Sequence, residues 1–211
     1  MGKLIWPHEN DAKNNNDGKR AALYYNTNYV NKYAVHNVIH DITRTRANEE
    51  HRNELIYYGA LGCGCNIPAD SMIQEFLYIQ NVYNIKGRKG RRMYHEVFSL
   101  LDEEVAALNW NMSLLISFAM ECARKYYEQG FQVVYAIHHQ SKIHIHFAVN
   151  SINYRTGAKF HTTKVEKAIR EDLFNRILNK YMTMPRTPII PVSFYSDYAT
   201  VGVMGYGDMG I

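Results

Sequence analysis

The 211-residue chain contains no apolar run approaching the roughly 20 residues that a membrane-spanning helix needs, which sets aside membrane insertion. Its opening stretch, MGKLIWPHENDAKNNNDGKR, lacks the apolar segment of a secretory signal, so a cytoplasmic location is expected. Cysteine is scarce and odd in number. Cys63, Cys65 and Cys122 do not make a disulfide framework, and Cys63-Gly64-Cys65 is too tightly spaced for an ordinary zinc knuckle. Excess charge is small as well, with a formal net charge of only +4, and no internal repeat is visible.

Apolar residues at 46% and charged residues at 21% are ordinary for a soluble globular chain of one domain. The charge is unevenly spread. KGRKGRR (86–92) carries five positive charges in seven residues, which reads either as a solvated loop or as a phosphate contact. Seventeen tyrosines offer rings that can stack on unpaired bases.

The pattern predicts a loose arm over 1–20, a folded domain over 21–197 and a glycine-rich tail over 198–211, untethered or cut from a longer protein. Strands are expected at 22–29, 54–62 and 92–101. Helices are expected at 31–43, 68–83 and 111–129, the last stopped by Gly130. FQVVYAIH (131–138) and IHIHFAVNSINY (143–154) read as a hairpin, with RTG (155–157) as the next turn. A long helix from His161 to Tyr181 and an edge strand within 187–195 complete the chain. The result is an α+β fold: a two-layer sandwich with a largely antiparallel central sheet of about five strands, flanked by helices.

The stretch IHHQSKIHIHFAVN (137–150) places four histidines within a strand hairpin. Residues i and i+2 of a strand share a face, so His144 and His146 project together while Ile143, Ile145 and Phe147 face the core. A tight hairpin brings His138 beside His144, and His139 points away. Three imidazoles on one face form a half-shell for a divalent cation; the competing reading is a polar solvent-facing surface.

AIHHQSKIHIHFAVNSINYRTGAKFH resembles the third motif of MobP-type conjugative relaxases, in the HUH endonuclease superfamily, through His138, His144, His146, Asn150, Asn153, Gly157, Lys159 and His161. YHEVFSL (94–100) resembles the family's middle motif and VHNVIHDITRTR (35–46) its first, so the likeness spans about 22–165 in the right order. The resemblance implies a bacterial enzyme that nicks and rejoins one DNA strand at a plasmid or integrative-element transfer origin. Its implied partners are single-stranded and hairpin DNA, accessory relaxosome proteins and a coupling protein. It implies one divalent metal ion on the three histidines: Mn²⁺ or Mg²⁺ in use, with Zn²⁺, Ni²⁺ or Co²⁺ also accepted by such a site.

The first motif departs from the family. Where a nucleophilic tyrosine is expected on the first helix, this chain has Asp41. Either the chain is disabled at that step, or His40, His36 or Tyr33 attacks instead, or the motif is shifted and Tyr24, Tyr25 or Tyr29 serves. Glu96 and His95 are candidates for outer support of the metal histidines, with Glu96 expected to face them. Arg44, Arg46, Lys86, Arg88, Lys89, Arg91, Arg92, Lys159 and His161 are candidate DNA contacts. Two other functions share these residues: a rolling-circle replication initiator, and a non-catalytic single-stranded DNA-binding module that kept the fold.

Overall fold

Apolar alternation in the two longest strands organises the molecule. A computed structural model describes residues 22–26, 29–31, 33–64, 68–83, 90–184 and 200–201. In chain order these form β1 (Ala22–Asn26), α1 (Ala34–Ile42), α2 (Glu49–Arg52), β2 (Leu55–Leu61), α3 (Ala69–Val82) and β3 (Met93–Ser99). There follow α4 (Asp102–Ala107), α5 (Met112–Glu128), β4 (Phe131–His139), β5 (Ile143–Asn153), α6 (Lys164–Thr183) and the two-residue β6 (Thr200–Val201). The strands form one sheet in the order β1-β3-β5-β4-β2-β6, every neighbouring pair antiparallel.

One face of β4 and β5 presents Val133, Tyr135, Ile137, Ile143, Ile145, Phe147 and Val149, all buried. α5 covers it with Leu115, Phe118, Ala119, Cys122, Ala123 and Tyr126, a stripe at three- and four-residue spacing. α6 adds Phe174, Ile177 and Leu178. The other face is paved with small residues, Ala60, Ala136 and Ala148, beside Val134 and Met93. That lets α1 and α3 sit close, through Val35, Val38, Ile39, Ile42, Met72, Ile73 and Phe76. Each fully buried side chain of this size contributes about 1.5–3 kcal/mol. The α+β class and antiparallel sheet are as the sequence predicts, with the helical cover divided between both faces.

Local signals set the boundaries. Asn111 caps α5 by accepting a hydrogen bond from the Leu114 amide, and Gly130 follows the helix at φ +89°, where an added Cβ would collide with Asn153. Thr163 and Glu166 form a reciprocal cap that starts α6 three residues later than expected. A buried amide cluster fastens α3 to the sheet: Gln80 donates to Asn150, and Asn150 donates to Gln132 and to the Phe76 carbonyl. The expected arm over 1–20, the edge strand within 187–195 and all of the tail but Thr200–Val201 lie outside the described residues.

Candidate metal centre

The β4–β5 ladder sets His138 directly opposite His144, and His146 follows two residues later on the same face. Ring centroids are 4.4 Å apart for His138–His146, 4.9 Å for His144–His146 and 5.6 Å for His138–His144. One nitrogen from each ring lies within 4.8 Å of the others.

The opposite nitrogen of each ring is held from outside. His138 Nε2 donates to the Ile42 carbonyl at 2.7 Å, and His144 Nδ1 donates to the Lys142 carbonyl at 3.1 Å. A carbonyl only accepts, so these bonds leave lone pairs on His138 Nδ1 and His144 Nε2. His146 Nδ1 lies 2.8 Å from Nε2 of His95, so Nε2 of His146 is the one directed at the cluster. His138 Nδ1 and His146 Nε2 are buried with no hydrogen-bond partner. Buried polar atoms seldom remain so, and a cation accepting three imidazole lone pairs fits them.

The environment keeps the rings neutral, which is the ligating form. Burial, then the nearby Arg44 charge, pushes the His138 pKa down to about 3. Burial pushes His95 down to about 4 and His146 well below the usual imidazole range, and it lowers His144 as well.

Asp41 lies in the last turn of α1, beside a guanidinium. Arg44 ends that helix in the left-handed region at φ +54°, a conformation costing of order 1–3 kcal/mol for a residue with a Cβ. Its side chain is 3% exposed and bridges two carboxylates, with Nη1 3.2 Å from Asp41 Oδ1 and Nη2 2.6 Å from Glu54 Oε2. Gln140 in the hairpin turn donates to the same Glu54 oxygen at 2.9 Å. Burial raises the Asp41 pKa, with the Arg44 charge opposing.

The other candidates are distributed as follows. His40 is buried, with Nδ1 2.7 Å from Thr45 Oγ1 and Nε2 3.1 Å from Asp70 Oδ1. Tyr33 stands at the start of α1, 57% exposed. Arg46 is exposed in the turn after α1, whereas Arg44 is buried and committed to carboxylates, a correction to its expected place on the DNA-facing surface.

Glu96 requires a second correction. Val97 pairs with His146 and Glu96 with Phe147, so His95 shares the histidine face and Glu96 points into the opposite layer. There Glu96 is fully buried, accepting from Tyr126 and from two nitrogens of Arg170 on α6.

Arg91, Arg92, Lys159 and His161 lie at the far end of the sheet, where Met93 pairs with Asn150 and Ile152 bridges Lys159. Four residue steps along the strand separate Val97, opposite His146, from Met93, a distance of roughly 13 Å. These groups are therefore not around the histidines. Lys86, Arg88 and Lys89 lie outside the described residues. Sequence reasoning missed Glu54 and Gln140, and missed Tyr29 as a partner of His95. Tyr29 Oη is 3.0 Å from His95 Nδ1, a pairing 66 residues apart with no local sequence signal.

The family model described as Relaxase: MobA/VirD2-like, nuclease domain, matches residues 14–183. No curated protein matches the chain. Among solved structures, one described as the molecular basis of vancomycin resistance transfer in Staphylococcus aureus aligns at 12% identity and TM-score 0.49, covering 76% of this chain and 92% of that one. The conjugative relaxase TrwC in complex with oriT DNA, metal-bound, aligns at 11% identity and TM-score 0.44, covering 76% and 67%. A copper-bound form of that complex gives 11%, 0.43, 76% and 68%.

Proposed function

Because the chain belongs to the relaxase family, as a nuclease domain of the MobA/VirD2-like kind, we propose that it recognises one DNA strand at the transfer origin of a plasmid or integrative element, where relaxases nick and rejoin, and that Asp41 disables its covalent step. The observation that carries this reading is the triplet of neutral histidines with one nitrogen of each directed at one point, two of them fixed as lone-pair donors by backbone carbonyls.

His138 Nδ1, His144 Nε2 and His146 Nε2 would hold the divalent cation. When bound, it would stabilise charge developing on a scissile phosphate. Mn²⁺ or Mg²⁺ is the proposed working ion, with Zn²⁺, Ni²⁺ and Co²⁺ compatible with three imidazoles. Arg46, exposed in the turn after α1, would meet the DNA backbone. Arg91, Arg92, Lys159 and His161 would meet a more distant part of the strand or the origin hairpin. Accessory relaxosome proteins and a coupling protein belong to the same proposal.

Asp41 is a poor nucleophile toward an anionic phosphodiester, and here its carboxylate is held by Arg44. His40 is buried against Thr45 and Asp70, leaving no nitrogen presented to solvent. Tyr33 is exposed but lies two turns before Asp41, about 12 Å along the helix. A non-catalytic single-strand binding module is the second reading, for which Asp41 speaks as well.

Selection from a random pool of single strands with Mn²⁺ tests recognition. Enrichment of a common sequence, lost on chelation and in His146→Ala, is expected. An unenriched pool would count against an origin-reading protein of either kind.

A further inference from the structure

The three histidines do not have equivalent outer partners. Carbonyls fix His138 and His144, and a carbonyl permits one answer only. His146 instead faces His95, another imidazole, which can either accept or donate. If His95 Nε2 carries the proton, it donates to His146 Nδ1. Nε2 of His146 then carries its own proton and cannot ligate. If His95 Nε2 is bare, it accepts from His146 Nδ1–H, and His146 Nε2 offers a lone pair.

The ligating state needs an acceptor on the other side of His95, and a tyrosine hydroxyl, which can accept as well as donate, stands there. Tyr29 Oη lies 3.0 Å from His95 Nδ1. We infer that Tyr29 is a positioning residue for the metal centre: by accepting a hydrogen bond from His95 Nδ1–H, it leaves His95 Nε2 bare and turns the ligating nitrogen of His146 toward the cluster. The inference rests on the reading of the three histidines as a metal site.

The geometry supports a fixed relay. The Tyr29 carbonyl accepts from the Arg92 amide at 2.7 Å, anchoring its segment at the entrance to β3, two residues before His95 emerges from that strand. The Tyr29 ring packs against the α1–α3 core, with centroids 5.9 Å from His95, and the His95 and His146 rings stack at 5.0 Å. His95 is 5% exposed and His146 3%, so water has little access to substitute for either bond. The hydroxyl lies on the side of His95 remote from His146. This suits Tyr29 to an orienting role.

The test is Co²⁺ titration followed by visible absorption, in the full chain, with folding checked by circular dichroism. Tyr29→Phe keeps the ring and removes the acceptor, and should weaken Co²⁺ binding by about 10-fold or more, the range for lost outer partners of metal histidines. His95→Glu, an acceptor that needs no orienting, should bind at least as tightly as the parent. In that background Tyr29→Phe should change affinity less than about twofold, a dependence that simple loss of packing would not produce. Imidazole ¹⁵N shifts of the parent, independent of any variant's folding, should show His95 and His146 both protonated at Nδ1.

Tyr29→Phe binding within about twofold of the parent, equal losses in both backgrounds, or His146 protonated at Nε2 would overturn the inference while leaving the metal site standing. A parent that binds no Co²⁺ would overturn the metal reading, and the inference with it.

Discussion

At the scale of single residues, the centre depends on groups held in one state by burial. Arg44 illustrates this: a left-handed backbone and a 3% exposed guanidinium persist because Asp41 and Glu54 grip it from two sides. Arg44→Met leaves two carboxylates without their cation, and stability measured by urea denaturation should fall by about 3 kcal/mol. A loss under about 1 kcal/mol would mean that the pairs are solvent-screened. The histidine triplet itself was legible, because strand parity and a short hairpin bring His138, His144 and His146 together from sequence alone. The choice between His95 and Glu96 was not. It depends on the register of β3 against β5, and a one-residue slip exchanges the two faces. Arg44 was misplaced for a similar reason, since nothing local announces that Glu54 waits to bury it.

At the scale of elements, the long helices and the hairpin were legible to within a few residues, because their apolar spacing is set by one buried face. The short acidic α4 went unread, since six residues carry too little periodicity, and the onset of α6 is fixed by the Thr163 cap rather than by any apolar residue. What joins elements was hidden, because partners distant in sequence supply it. Arg170 reaches from α6 to Glu96 on β3 with two nitrogens, 2.8 Å from Nε and 2.5 Å from Nη2. Arg170→Ala strands a fully buried carboxylate and should cost about 3–5 kcal/mol, whereas the pair Glu96→Gln with Arg170→Met should recover most of it. Chemical denaturation of the single and the double variant checks this. Equal losses in the single and double variants would show that packing, not the unpaired charge, sets the cost.

At the scale of the whole molecule, the buried histidines link folding to pH. His138 and His95 hold folded pKa values of about 3 and about 4, below the ordinary 6.5, so the unfolded chain binds protons that the folded chain refuses. Stability is therefore full above pH 6.5 and lost as pH falls toward those folded values. Each such histidine steepens the fall by up to about 1.4 kcal/mol per pH unit. Urea denaturation of the metal-free protein at pH 7, 6 and 5 should show that decline, and a flat profile would contradict burial of neutral rings. A saturating divalent ion should raise the melting temperature by binding the folded state alone.

The most direct measurement of the central claim, a relaxase site interrupted at position 41, is covalent capture. The parent chain and Asp41→Tyr would each be incubated with Mn²⁺ and the single strand selected above, then resolved by denaturing gel and intact mass. An adduct with Asp41→Tyr alone, abolished by His146→Ala, is the predicted result. An adduct of equal yield from the parent would place the nucleophile elsewhere and contradict the claim, as would the absence of any adduct from Asp41→Tyr despite intact DNA binding.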